Sequence, residues 1–214
     1  MRYPWWRLLL FCSIASVPCY WLYLAAVAAL GPDPGKVLVD NLGQGALVLL
    51  LCSLAMTPLR SLTGWSGWIV FRRQVGLWAF GYAVLHLAAY LYFLLGLQFG
   101  DFAAELVERP YIALGVIALV GLSALALTST RWSMRKLGKR WKKLHRIVYP
   151  ALVVALLHML WVVRSDAGQW SLYATLAAIL LAARVPAVER ALVGINARWH
   201  GDPLANKNKN KNNR

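Results

Sequence analysis

Of the four histidines among the 214 residues, two lie deep in apolar runs: His86 within residues 75–97, VGLWAFGYAVLHLAAYLYFLLGL, and His158 within residues 147–163, IVYPALVVALLHMLWVV. An ionisable ring inside a bilayer is costly and rare, and such residues serve as ligands, relays or pathway groups. Two neutral imidazoles facing each other from different helices can occupy both axial positions of a haem iron. His145 stands at the end of a cationic block, residues 131–146, RWSMRKLGKRWKKLHR. Arg72 precedes His86 by 14 residues, about 40° from its helical face. A guanidinium is always charged, so Arg72 is a poor iron ligand but a good partner for a haem propionate. His200 lies in a polar tail and has no assigned role.

The elements that must hold these groups are membrane spans. The chain is 60% hydrophobic and only 14% charged, with a positive mean hydropathy. That is the composition of a polytopic membrane protein. The formal charge of +15 could suggest nucleic acid, but the basic residues interrupt apolar runs instead of lining a polar domain, which excludes that class. Apolar runs predict six spans, at residues 8–30, 42–59, 75–97, 111–130, 147–163 and 170–188. Loops after the first, third and fifth spans hold only Lys36, Arg109 and Arg164, while the other 20 basic residues lie at the termini and in the remaining loops. Basic residues stay on the cytoplasmic side, so the expected fold is an all-α six-transmembrane-helix bundle with both termini cytoplasmic. It forms one domain, residues 1–190, with anionic lipid as an incidental contact. The tail, residues 191–214, ends in NKNKNKNNR and is expected to be disordered.

The third and fifth spans run in the same direction, so depths can be compared. His86 is 13 residues beyond Arg73 and His158 is 12 beyond Arg146. Both therefore lie about 18 to 20 Å from the cytoplasmic border, at one level. Tyr82, Tyr90 and Phe93 near His86, and Trp161 near His158, are expected to supply aromatic walls. His145 is 13 residues before His158, which on an ideal helix sets the two side chains about 220° apart. Pro150 between them can kink or unwind the helix. Cys12, Cys19 and Cys52 read as packing residues, and no CxxC or CxxCH occurs. A proton relay through the histidines would want intramembrane acids, which the predicted spans lack. A non-haem membrane anchor predicts a colourless protein.

Three blocks carry a family resemblance: TGWSGWIVFRRQVGLWAFGYAVLH, ERPYIALG and ALTSTRWSMRKLGKRWKKLHRIVYPALVVALLH. With histidines on the third and fifth of six spans, they resemble the ferric-reductase-type transmembrane domain shared with NADPH oxidases. More closely, they are similar to the haem-binding membrane subunits of bacterial periplasmic methionine sulfoxide reductase systems. The resemblance implies a multi-pass inner-membrane b-type cytochrome, an electron-transfer subunit and not the catalytic one, passing electrons to a periplasmic molybdopterin enzyme. It implies one haem b or two, with FMN as a further cofactor, and the quinone pool or a cytosolic flavin reductase as donor. By the same resemblance His86 and His158 match the haem positions and His145 the third histidine. Arg72 and Arg73 stand where oxidases place a fourth, which puts a standard second bis-histidine haem in doubt. No nicotinamide-binding fingerprint occurs, so reducing equivalents come from another molecule. The alternative is a ferric-reductase-like or quinone-linked carrier with another acceptor. Residues 98–110, with Asp101, Glu105 and Glu108, are a candidate docking surface for the acceptor.

Overall fold

Among the residues that the computed structural model describes, 3–27, 29–163 and 167–199, the chain is helical throughout. The helices are α1 (Pro4–Ala26), α2 (Pro34–Thr63), α3 (Gly67–Ala89), α4 (Phe99–Glu108), α5 (Pro110–Leu127), α6 (Arg131–Leu137), α7 (Lys139–Leu144), α8 (Val148–Val162), α9 (Ala167–Ala182) and α10 (Pro186–Trp199). A π turn, Tyr90–Leu94, continues α3, and a 3-10 turn, His145–Ile147, leads into α8. Five segments are long and apolar enough to cross a bilayer, and a sixth exists if α9 and α10 are taken as one span bent by 82°. The protein is an all-α, multi-pass membrane protein.

Helix starts follow local chemistry. Proline opens α1, α2, α5 and α10, where its missing N–H costs nothing. Asp33 caps α2 by accepting from the Lys36 amide at 3.0 Å. This start lies well before residue 42, so Lys36 and Asp40, expected in a loop, belong to α2. Residues 98–110, also expected as a loop, form the amphipathic α4. The final span departs most. Pro186 cannot donate to the Ala182 carbonyl, which instead accepts from the Val185 amide at 3.0 Å, and the chain turns sideways into α10. Residues 191–199 are thus helical where disorder was expected, and residues 200–214 lie outside the described residues.

Two interior prolines explain how the spans are pinned. Pro18 in α1 and Pro58 in α2 each remove the N–H that would satisfy the carbonyl four residues earlier, Ile14 and Leu54. In hydrocarbon no water can replace it. The Tyr82 hydroxyl of α3 donates to the Ile14 carbonyl at 2.7 Å, and Arg184 Nη2, just past α9, donates to the Leu54 carbonyl at 2.7 Å. Each orphaned acceptor therefore ties one helix to another. Gln44 and Gln169 add a reciprocal amide pair between α2 and α9, at 3.0 and 3.4 Å. Arg184 thus turns inward, where an arginine near the end of a span can also snorkel to the interface.

The buried core joins α2, α3, α5, α8 and α9 through Leu50, Leu54, Ala79, Leu122, Leu152 and Ala177. A second cluster packs Leu38, Leu42 and Tyr82 against Trp21 of α1. Pro18 is the only buried residue of α1, so that helix lies at the edge of the bundle.

Candidate functional site

α2 packs most extensively with α3, and α5 with α8, making two antiparallel hairpins whose second helices carry His86 and His158. The two imidazoles meet between the hairpins, ring centroids 6.2 Å apart and planes at 84°. His86 Nδ1 lies 2.8 Å from the Val39 carbonyl and His158 Nδ1 lies 2.6 Å from the Tyr111 carbonyl. A carbonyl only accepts, so in both rings Nδ1 carries the proton and donates. That leaves each Nε2 with a lone pair, in a neutral ring whose orientation is fixed.

Glycine makes this contact possible. Gly43 and Gly115 each lie one turn after the accepting carbonyl. A Cβ on Gly43 would come within 2.9 Å of His86 Nδ1, and one on Gly115 within 3.0 Å of His158 Cε1. Any side chain there would push the ring off its acceptor.

The two halves repeat. Val39, Gly43 and His86 have counterparts 72 residues later in Tyr111, Gly115 and His158. In both hairpins, 47 residues separate ring from carbonyl. The same shift relates Leu47 to Leu119, Leu50 to Leu122 and Ala83 to Ala155, and all of these line one cavity with the histidines. The cradle of each imidazole is thus built twice, from one helix-hairpin pattern.

That cavity has a volume of about 510 Å³, within the range of cofactor sites. Its walls near the rings are apolar, and its rim is polar, with Lys36, Asp40, Gln44, Tyr90 and Arg109. Asp40, Gln44 and Tyr90 correspond in the second hairpin to Ile112, Val116 and Val162, so these three polar positions are not repeated there. α4 closes over this end. Its Phe102 lines the cavity, the Tyr90 hydroxyl bonds Glu105, and Glu105 pairs with Arg109 at 3.1 Å.

The chemistry fits a metal held by two imidazoles. With about 2 Å from each nitrogen to a metal and about 1 Å from nitrogen to ring centre, the centroids should stand about 6 Å apart. With Nδ1 held by a carbonyl, Nε2 free and apolar walls around them, His86 and His158 would hold a haem between them. Among the described residues no group of three His, Cys, Asp or Glu could hold a metal ion without one.

His145 and Arg72 are not part of this cavity. They lie at the other end of the bundle, beside the cationic block. The 3-10 turn unwinds the chain before α8, and His145 Nε2 reaches Thr128 at the close of α5 at 3.3 Å, its ring stacked 4.0 Å from Trp141. Arg72 Nη1 donates to Thr57 Oγ1 at 3.3 Å. The expected aromatic walls are mostly absent: Tyr82 turns to α1, Phe93 packs over Gly35, and Trp161 is exposed. Only Tyr90 of that set lines the cavity. Reading the sequence missed Gly43, Gly115 and the two carbonyls, for which the 72-residue repeat was the available signal.

Residues 42–156 match the family model described as "Ferric reductase like transmembrane component". A protein of Brucella anthropi named "Protein-methionine-sulfoxide reductase heme-binding subunit MsrQ" is 41% identical over 177 residues, covering 82% of this chain and 80% of the relative. The matched region takes in Gly43, His86, Tyr111 and Gly115 and ends two residues before His158.

Proposed function

The chain belongs to the ferric-reductase-like transmembrane family, and from that premise we propose that it is a b-type cytochrome subunit of the inner membrane, carrying electrons across it to a periplasmic methionine sulfoxide reductase. The observation that carries the reading is the paired arrangement of His86 and His158, each with Nδ1 committed to a backbone carbonyl and Nε2 free. These two residues would hold one haem b. When bound, that haem supplies a one-electron carrier in a bilayer that no free electron can cross.

What the chain itself contributes is position and environment. The Val39 and Tyr111 carbonyls keep both rings neutral, oriented and basic, which strengthens them as ligands. Leucines and alanines keep water from the inner part of the cavity, while Lys36 and Arg109 place positive charge at its rim. No substrate bond is broken here. Reduction of a methionine sulfoxide to methionine and water takes two electrons and two protons at the partner, a molybdopterin enzyme, so two successive single-electron deliveries are needed. The donor is the quinone pool or a cytosolic flavin reductase, and FMN would be a further cofactor. His145 and Arg72 are left to a different ligand at the opposite end.

The test is reconstitution. The purified protein, reduced in sealed liposomes, is mixed with the partner reductase and a methionine sulfoxide peptide outside. We expect the reduced haem band to bleach only when both are present. A protein that purifies without haem, or whose haem band is indifferent to the partner, would overturn the reading.

A further inference from the structure

α4 closes the polar end of the cavity, yet little joins it to the bundle. No residue of α4 is buried, and only Phe102, Glu105 and Leu106, about one turn apart on one face, are half-buried. Its first turn has no side-chain cap. Just before it the chain passes through two left-handed residues in succession, Gly96 at φ 56° and Leu97 at φ 63°. Glycine adopts that conformation freely, whereas leucine does so at a cost. Just after it Arg109 is extended, at φ −120°, as proline drives the residue before it to be, and Pro110 starts α5. α4 is therefore a stiff segment between two breaks in the helical chain, the arrangement of a hinged element.

One latch holds it down. The Tyr90 hydroxyl, in the π turn after α3, donates to Glu105, and Glu105 pairs with Arg109 at 3.1 Å. Phe102, one turn before Glu105, lines the cavity together with Tyr90 and Arg109. Val162 stands at the position of Tyr90 in the second hairpin, so the Tyr90 hydroxyl serves α4 and not the repeated imidazole cradle. A second hollow, of about 530 Å³, opens between the hinge and α4, lined by Leu94, Gly96, Gln98, Asp101, Glu105 and Glu108. With hollows around it and no buried anchor, α4 belongs to the low-stability end of the fold, where local opening occurs.

We propose that the Tyr90, Glu105 and Arg109 latch, with Phe102 beneath it, determines which oxidants take electrons at this end. α4 keeps small soluble oxidants out of the cavity, and a docked protein acceptor gains access by displacing it. Electron transfer between metal centres slows steeply with separation, so a closed α4 discriminates by reach. The correct partner supplies binding energy for the opening, which a small competitor cannot. Phe99, Asp101, Val107 and Glu108 are exposed on α4 and give a basic protein surface both apolar and charged contacts. The proposal rests on the haem at His86 and His158, whereas the hinge and the latch do not.

The experiment uses the full chain in nanodiscs as wild type, Tyr90→Phe, Glu105→Ala and Phe102→Ala. Hydrogen exchange of residues 98–110 reads the lid independently of haem, and the haem-to-protein ratio is recorded for each variant. The protein is reduced, desalted and mixed with ferricyanide or with a cationic ruthenium(III) ammine. Each complex takes one electron from ferrous iron, its metal passes from trivalent to divalent, and no proton is exchanged. The α4 amides of Tyr90→Phe and Glu105→Ala should exchange at least fivefold faster than those of wild type, while α5 stays protected. Both complexes should oxidise these variants at least fivefold faster per haem, because opening ignores the sign of charge. Loss of the Glu105 charge alone would speed ferricyanide and slow the cation. The gain with the partner reductase, which displaces α4 itself, should be smaller than with either complex. Phe102→Ala keeps the latch and covers the case in which the latch variants do not fold. It should raise both oxidation rates while α4 protection stays close to that of wild type. Oxidation rates equal to wild type in every variant, a rise for one sign of charge only, an equal gain for the partner, or α4 amides that exchange as fast in wild type as in the latch variants would overturn the proposal. A chain that purifies without haem overturns the electron-carrier reading and this proposal with it, whereas normal haem with unchanged rates overturns this proposal alone.

Discussion

At His86 and His158 the chemistry is set by atoms that belong to neither histidine. Each ring is held by a backbone carbonyl that glycine leaves accessible, so the ring's orientation depends on a missing side chain as much as on the imidazole. Gly43→Ala and Gly115→Ala should each displace a ring and lower the haem retained after purification several-fold while leaving helix content intact, as read by haem-to-protein ratio and circular dichroism. Of this site, the histidines were legible in the sequence because an imidazole in an apolar run is conspicuous. The carbonyls were not, since every residue has one and only packing decides which is faced. Arg72 was legible as a cation near a span entrance, but its neighbour Arg184 was not. Nothing in the linear order brings residue 184 to the Pro58 region of α2.

Among the helices, the prolines turn a local defect into a tertiary contact. Tyr82→Phe leaves the Ile14 carbonyl without a donor in hydrocarbon, at a cost of about 1 kcal/mol. The expected result is a lower unfolding temperature in detergent, with haem content unchanged because Tyr82 does not line the cavity. α4 bears the other prediction. Asp101 and Glu108 are exposed on the helix that closes over the polar rim, so they are placed to guide a basic acceptor. The pair Asp101→Lys and Glu108→Lys should slow electron delivery to the partner and flatten its dependence on salt, with the haem spectrum untouched. Apolar run length revealed the spans, whereas α4 and the first turns of α2 read as loop because their acids and prolines are signals for a helix start as well as for a turn. α10 escaped notice because Pro186 diverts the chain near the end of the last apolar run, and most of the helix follows in sequence that reads as polar tail.

The molecule as a whole is two copies of one hairpin, α2 with α3 and α5 with α8, facing each other across a cavity, with α1 and α9 packed outside them. Six apolar runs and the charge census foretold a bundle, but the repeat escaped notice because most of the shared positions are ordinary leucine and alanine. From the charge census, a reporter active only in the cytoplasm should work when fused after residue 214 and fail when inserted near residue 100. Central to the proposed function is that the two hairpins jointly ligate a single haem iron. Haem stoichiometry with the ferric electron paramagnetic resonance spectrum, taken on wild type, His86→Ala and His158→Ala, tests it most directly. Rings set at 84° predict the strongly anisotropic low-spin signal of perpendicular imidazole planes in wild type, and its complete loss in either variant. Persistence of that signal in either alanine variant would contradict the account.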